Sequence, residues 1–133
     1  MEIDVYESYG RFYEEFSVGM KFKHWPGKTI TQSDNHNFCM LTMNHNPLHI
    51  DVEYMKNHQH KKPLVVGLLT LSLIVGMTVQ ELSGKAIANL GYEKVKHEGP
   101  VFEGDTIHAL SEVIDMRESK SNPNAGIVKV QTL

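Results

Sequence analysis

Residues 63–79, PLVVGLLTLSLIVGMTV, form an uncharged run in a chain of 133 residues. The run is barely long enough to span a bilayer, opens with a proline, and has no basic anchor cluster or second span beside it. A helix that is apolar on nearly every side is normally one that protein covers. We therefore predict a long central helix from about Gly67 to Leu82, closed by Ser83 and Gly84, and no membrane partner.

The sequence after this run is strand-like. Alternating or apolar stretches occupy residues 86–96, 101–116 and 127–133, and a polar loop at 117–126 separates the last two. Strands in close succession cannot be parallel without crossovers, so we expect an antiparallel sheet. Such a sheet is apolar on one face and must cover something, and the central helix is the obvious candidate. The pattern predicts an α+β protein.

Two elements precede the apolar run. Residues 18–31 alternate in places around a Pro-Gly turn at 26–27, which predicts an extended hairpin or strand pair. Thr31 and Asp34 then fit a capping box, in which each side chain accepts a hydrogen bond from the other residue's backbone N–H. We predict a helix from this point to about Asn44, with an apolar stripe formed by Phe38, Leu41 and Met43.

Length and composition predict one globular domain, residues 1–133. The net charge of −3 and the scattered lysines exclude a basic stripe for nucleic acid. The single cysteine, Cys39, has apolar neighbours and is interpreted as a buried structural thiol in a reducing compartment. The acidic N-terminal sequence lacks the features of a signal peptide, so a cytoplasmic location is expected.

A second stretch, NHNPLHID at residues 44–51, carries the candidate chemistry. Pro47 pushes the preceding residue towards extended geometry, so residues 44–49 are predicted to form a turn. His45 and His49 have the i, i+4 spacing of a zinc motif, but the proline between them removes the shared helical face. Asp51 suits the N-cap of a short helix that follows. We expect no metal site here.

Acid/base chemistry is the remaining possibility at this stretch. No Gly-x-Ser-x-Gly nucleophile elbow is present, and Cys39 lies among apolar residues. His49 is the natural candidate, because an imidazole can take and return a proton near neutral pH.

These residues carry a family resemblance. NPLHID, a glycine opening a long apolar helix, GPVFEGDT at 99–106 and MRESKS at 116–121 together resemble the MaoC-like dehydratases and (R)-specific enoyl-CoA hydratases. In their individual residues, these stretches are most similar to the branch of the family that includes mesaconyl-CoA hydratases. The resemblance implies a hot-dog fold, an antiparallel sheet wrapped around one helix. It also implies a homodimer or higher homo-oligomer, an acyl-CoA or other acyl-thioester substrate, and no cofactor beyond that thioester.

The resemblance also implies roles for residues of this chain. His49 matches the catalytic histidine and Asn46 an asparagine that organises the site. Gly67 matches the glycine whose N–H hydrogen-bonds the thioester carbonyl, and its neighbours Val66 and Leu68 are expected to contact substrate. In that fold the sheet ordinarily continues beyond the strand beginning at Ile127, so we expect the last strand to be incomplete here or completed by a partner.

Two residues depart from the family pattern. Asn44 stands where the family's commonest pattern has a catalytic aspartate, and an amide can position water but cannot exchange a proton at neutral pH. Val66 stands where a histidine usually precedes the glycine. Asp51 or a substrate carboxylate could replace the missing acid, although Asp51 also fits a helix cap. The resemblance therefore implies a hydratase or dehydratase that interconverts 2-enoyl-CoA and 3-hydroxyacyl-CoA, with a catalytically impaired thioester-binding module and an acyl-CoA thioesterase as alternatives.

Overall fold

The computed structural model describes residues 1–133, which form short helices and antiparallel strands. The α-helices are α1 (Val5–Ser8), α2 (Gln32–Thr42), α3 (Pro47–Ile50), α4 (Val52–Met55) and α5 (Gly67–Thr78), with 3₁₀ turns at Tyr13–Glu15 and Ser83–Lys85. The strands are β1 (Lys21–Lys23), β2 (Lys28–Thr29), β3 (Thr106–Ile107), β4 (Leu110–Glu118) and β5 (Gly126–Thr132). None of the helices combines the length and the apolar character that crossing a membrane requires.

The chain divides into two compact units. One comprises residues 1–26, 74–91 and 108–133, and the other comprises residues 27–73 and 92–107, so the sequence of α5 contributes to both.

The first unit contains a three-stranded antiparallel sheet in the order β1-β4-β5. Its longest pairing joins β4 to β5, from Ser111 opposite Thr132 to Glu118 opposite Gly126, with a register shift between Val113 and Asp115. The buried His24 ring lies 2.9 Å from Glu81 Oε2 and 2.8 Å from Ser111 Oγ, and it bridges these two side chains. The antiparallel sheet expected from the sequence is therefore present, and its last strand begins one residue before the predicted position.

The second unit contains the β2-β3 pair, helices α2 to α4 and the start of α5. Its core is formed by buried apolar side chains from four segments, namely Ile30, Cys39, Val65, Val66 and Leu69. Residues 63–66 enter this core as an extended segment, since Val65 N donates to the Val101 carbonyl at 2.8 Å. All the candidate site residues lie in this unit.

The capping prediction for α2 is confirmed. Thr31 Oγ1 accepts from Asp34 N at 3.0 Å and Asp34 Oδ2 accepts from Thr31 N at 2.9 Å, while Met43 ends the helix in the left-handed conformation. The predicted stripe is wrong for Leu41 and Met43, whose exposed fractions are 83% and 81%. The buried positions are Asn35 and Cys39, one helical turn apart, so a polar residue defines the inward face.

Two strands form within residues 18–31, as predicted, but the predicted pairing between them is wrong. β1 pairs with β4 and β2 pairs with β3, and His24 N extends the first pairing by donating to the Ala109 carbonyl at 3.0 Å. Pro26 cannot donate to a ladder, and each flanking strand has a partner distant in sequence.

Two further predicted elements differ from the structure. No strand forms over residues 86–96, because alternation specifies a strand only when a neighbouring strand pairs with it. The apolar helix ends at Thr78 and not at Leu82. The carbonyls of Gln80 and Leu82 accept from Gly10 N and Arg11 N, so the chain after Thr78 is held by contacts outside the helix.

Candidate active site

The NHNPLHID stretch is an Asx turn followed by a one-turn helix. Asn44 Oδ1 accepts from Asn46 N at 3.3 Å, and Asn46 Oδ1 accepts from Leu48 N at 3.0 Å as the N-cap of α3. The prediction of a turn throughout residues 44–49 is therefore wrong from Pro47 onwards. Proline is well tolerated at the first position of a helix, where its missing N–H would have no partner.

Helix α3 presents the His49 imidazole to the segment that leads into α5. The backbone N of His49 donates to Asn46 O at 3.0 Å, and its ring Nδ1 lies 2.8 Å from the Leu64 carbonyl oxygen. A carbonyl can only accept, so Nδ1 carries the proton. The neutral imidazole then has an unprotonated Nε2, which is the state a general base requires.

The same segment links α3 to the start of α5 through a second hydrogen bond. Leu64 N donates to the Leu48 carbonyl at 2.9 Å, and α5 begins three residues later at Gly67. The first turn of a helix has backbone donors without intrahelical partners and a positive dipole end. These donors can stabilise negative charge that develops on a nearby oxygen.

Glycine at position 67 allows a close approach by an imidazole ring. A Cβ placed there would lie 2.7 Å from His97 Cε1 and 3.1 Å from both ring nitrogens. His97 is on an exposed segment, so its ring could shift, but a side chain at position 67 would compete with it for space. No sequence motif connects His97 with this helix terminus.

The other predicted residues differ in what they can contribute. The Val66 side chain is buried in the core, whereas Leu68 is 58% exposed next to Gly67. Asp51 Oδ1 accepts from Tyr54 N at 2.8 Å, which confirms its prediction as the N-cap of α4. A carboxylate occupied in this way is poorly suited to replace the acid that is missing at Asn44.

Sequence reasoning missed Asn35, the most heavily hydrogen-bonded side chain of the unit. It is fully buried, and its amide contacts backbone atoms of three residues, His49, Leu64 and Val66. The only signal was its position one turn before Cys39 on the same helical face. That signal is weak, because asparagine is mostly exposed.

Neither a nucleophilic nor a metal site is supported by the geometry. Burial raises the pKa of the Cys39 thiol, and the Glu103 carboxylate raises it further. A thiol held protonated in this way is a poor nucleophile. No three side chains among His, Cys, Asp and Glu come close enough together to hold a metal ion.

Comparisons with known proteins connect this geometry to one family. The model of the MaoC like domain matches residues 14–133. A mesaconyl-CoA hydratase from Haloarcula marismortui is 30% identical over 123 residues, which is 92% of this chain but 34% of that protein. An (R)-specific enoyl-CoA hydratase from Aeromonas caviae is 37% identical over 83 residues, covering 62% of this chain and 61% of the relative.

A solved structure is similar over nearly its whole length. The (R)-hydratase from A. caviae involved in PHA biosynthesis superimposes with a TM-score of 0.69 at 30% identity, covering 90% of this chain and 87% of that one. The predicted hot-dog class, a mixed helical and antiparallel-sheet fold, is thereby confirmed. The chain spans about a third of the length of the mesaconyl-CoA hydratases that it matches. From its residues 14–133 and its structural neighbours, the chain belongs to the MaoC-like domain family.

Proposed function

We propose that this chain is a hydratase/dehydratase domain that interconverts a 2-enoyl-CoA and a 3-hydroxyacyl-CoA. The observation that carries the proposal is the hydrogen bond from His49 Nδ1 to the Leu64 carbonyl, which makes Nε2 the acceptor nitrogen of the neutral imidazole. Support comes from the names of two relatives, a mesaconyl-CoA hydratase and an (R)-specific enoyl-CoA hydratase.

The proposed reaction uses His49 as a base and Gly67 as an electrophilic donor. His49 Nε2 takes a proton from water while the water oxygen bonds to the β-carbon of the enoyl group. The electrons of the carbon–carbon double bond shift towards the thioester, and the enolate oxygen accepts a hydrogen bond from Gly67 N–H. The protonated imidazole then returns its proton to the α-carbon, so that one water has been added and His49 is regenerated.

Asn44 and Asn46 are proposed to orient the attacking water. Their Oδ1 atoms accept hydrogen bonds within the turn, so their amide NH₂ groups would contact the water oxygen. Neither amide can exchange a proton, so His49 is the one of these three residues that transfers protons. A substrate with its own carboxylate, such as mesaconyl-CoA, could contribute the acid that is missing at position 44.

Val66 and Leu68 are proposed to contribute to the substrate site in different ways. Leu68 has the exposed surface to contact an acyl chain, whereas Val66 would support the site from the core.

We also propose that the domain acts as a homo-oligomer, as the family resemblance implies, and that it needs no metal or cofactor besides the CoA thioester. Light scattering and activity after treatment with a chelator test these two points.

The direct test follows loss of the conjugated thioester absorbance of crotonyl-CoA and mesaconyl-CoA, with free thiol measured in the same samples. Hydration removes the absorbance without releasing thiol, whereas a thioesterase releases one free thiol for each thioester that it hydrolyses. Absence of both signals from folded protein would refute the proposed activity.

Asn44 motivates one alternative, a thioester-binding module without turnover. On that account acyl-CoA binds saturably, the double bond is not hydrated, and Asn44→Asp does not restore turnover. On the hydratase account, wild-type protein turns over and Asn44→Asp supplies a second proton-exchanging group without preventing turnover.

A further inference from the structure

Asn35 is a polar side chain with no exposed surface on helix α2. Its Oδ1 accepts from Val66 N at 3.0 Å. Its Nδ2 lies within hydrogen-bonding distance of three acceptors, at 3.1 Å from Leu64 O and 3.2 Å from both His49 O and Glu103 Oε1. A buried amide satisfied on both of its ends is costly to replace, because its partners would be left buried without hydrogen bonds.

The Leu64 carbonyl is shared between Asn35 and the candidate base. It lies 3.1 Å from Asn35 Nδ2 and 2.8 Å from His49 Nδ1. The carbonyl that fixes the tautomer of His49 is therefore itself held by the buried amide. An acceptor fixed on one side presents its remaining lone pair in a defined direction, which sets the plane of the imidazole.

The other end of the same amide fixes the entrance to α5. Val66 N, which donates to Asn35 Oδ1, immediately precedes Gly67. The Asn35 side chain thus links Leu64, whose carbonyl orients the His49 ring, to Val66, the residue before Gly67. Small displacements at such a joint matter, because a misplacement of about 1 Å can lower a rate by about a hundredfold.

We propose that Asn35 is a positioning residue that keeps His49 in the Nδ1–H tautomer and holds it in register with Gly67. Asn35 acts through Leu64 and Val66 and does not itself contact substrate. The inference rests on the proposed function for its catalytic consequence. The tautomer of His49 can be measured whether or not the protein turns over a substrate.

The test variant is Asn35→Asp combined with Glu103→Gln. The aspartate keeps an oxygen for Val66 N but cannot donate to Leu64 O. The Glu103→Gln change removes the carboxylate that would repel the new aspartate and supplies an amide donor in its place. Hydrogen bonding between positions 35 and 103 is thereby kept, while the bonds to the Leu64 and His49 carbonyls are lost.

Two variants serve as controls. Glu103→Gln alone keeps the Asn35 amide and should leave His49 unchanged. Asn37→Asp makes the same chemical change on the same helix, at an exposed side chain that donates to Ser33 Oγ at 3.2 Å. Cooperative urea unfolding of each variant reports whether the fold is retained.

The readout is the nitrogen-15 spectrum of the imidazole of His49, with kcat and KM for crotonyl-CoA measured beside it. We expect Nδ1–H in wild type and in both controls. In the double variant we expect a shift towards Nε2–H, because the Leu64 carbonyl is no longer held against His49 Nδ1 by the amide at position 35. We also expect kcat to fall about tenfold or more in the double variant, with a smaller change in KM. A folded double variant that keeps the Nδ1–H tautomer overturns the inference.

The other outcomes also decide the inference. If wild type is inactive but the tautomer shifts as expected, the proposed function fails and the positioning role stands. If the double variant does not fold, scalar couplings across hydrogen bonds are measured in wild-type protein, and they decide whether both donors bind the Leu64 carbonyl. Couplings to the Leu64 carbonyl carbon from both Asn35 Nδ2 and His49 Nδ1 support the inference, and absence of either coupling overturns it.

Discussion

Substitution of Asp34 by asparagine should destabilise the protein in a way that disappears in acid. The Asp34 carboxylate accepts from Lys28 Nζ at 2.8 Å and from Thr31 N at 2.9 Å. The Lys28 hydrogen bond, followed by the Thr31 backbone bond, lowers the pKa of Asp34 from 3.8 to about 2. The residue caps the helix that carries Asn35, so its loss bears on the candidate site as well as on stability.

The magnitude follows from the two interactions that need the negative charge. The side chains of Lys28 and Asp34 are 42% and 32% exposed, so solvent screens their pairing to about 0.5 kcal/mol. A carboxylate in the first turn of a helix contributes about another 0.5 kcal/mol through the helix dipole. Asparagine can still accept from Thr31 N, so Asp34→Asn should lower the free energy of unfolding by about 1 kcal/mol at pH 7.

The pH dependence has a definite sign. Because the pKa of Asp34 is lower in the folded state, the unfolded chain binds its proton more readily. The stabilisation is complete above about pH 4 and is lost as the pH falls towards 2. Urea unfolding of both proteins across this range should show their stabilities converging. A difference that stays constant from pH 7 to pH 2 would refute this reasoning, and Thr31→Ala provides a control whose loss of about 1 kcal/mol should vary far less with pH.

Two further predictions concern burial in the second unit. Ile30→Ala should lower the free energy of unfolding by about 2–5 kcal/mol because Ile30 has no exposed surface, whereas Leu41→Ala, at 83% exposed, should change it by less than about 0.5 kcal/mol; equal effects in urea titrations would contradict the assigned core. The Cys39 thiol, which is buried and has a raised pKa, should react slowly with a disulfide reagent in native protein and rapidly in denaturant; equal rates in the two states would contradict its burial.

The parts of the fold that the sequence predicted well depend on neighbouring residues. The capping box of Thr31 and Asp34, and the cap at Asp51, are satisfied within three residues and can be recognised from residue types alone. The strand near the C-terminus also followed from local composition. The strand pairing was not predicted, because it is non-local. β1 pairs with β4 and β2 pairs with β3, and the partners lie more than 75 residues further along the chain. Such pairings are not specified by a local alternation.

In the candidate site, too, residues within a local motif were predicted and a residue with distant partners was not. The resemblance singled out His49 and Gly67, which the structure connects through the segment 64–66. It could not identify Asn35, because the reason for burying that amide lies in acceptors and a donor contributed by α3, the 64–66 segment and Glu103. A polar residue inside a core is determined by partners that come together only on folding.

The most direct test of the central claim compares wild type with His49→Ala in the hydration of crotonyl-CoA. Unfolding in urea should first establish that the variant folds. If His49 is the base that activates water, kcat should fall by about 10²- to 10⁴-fold in the folded variant. A folded His49→Ala protein that hydrates crotonyl-CoA at the wild-type rate would contradict the account.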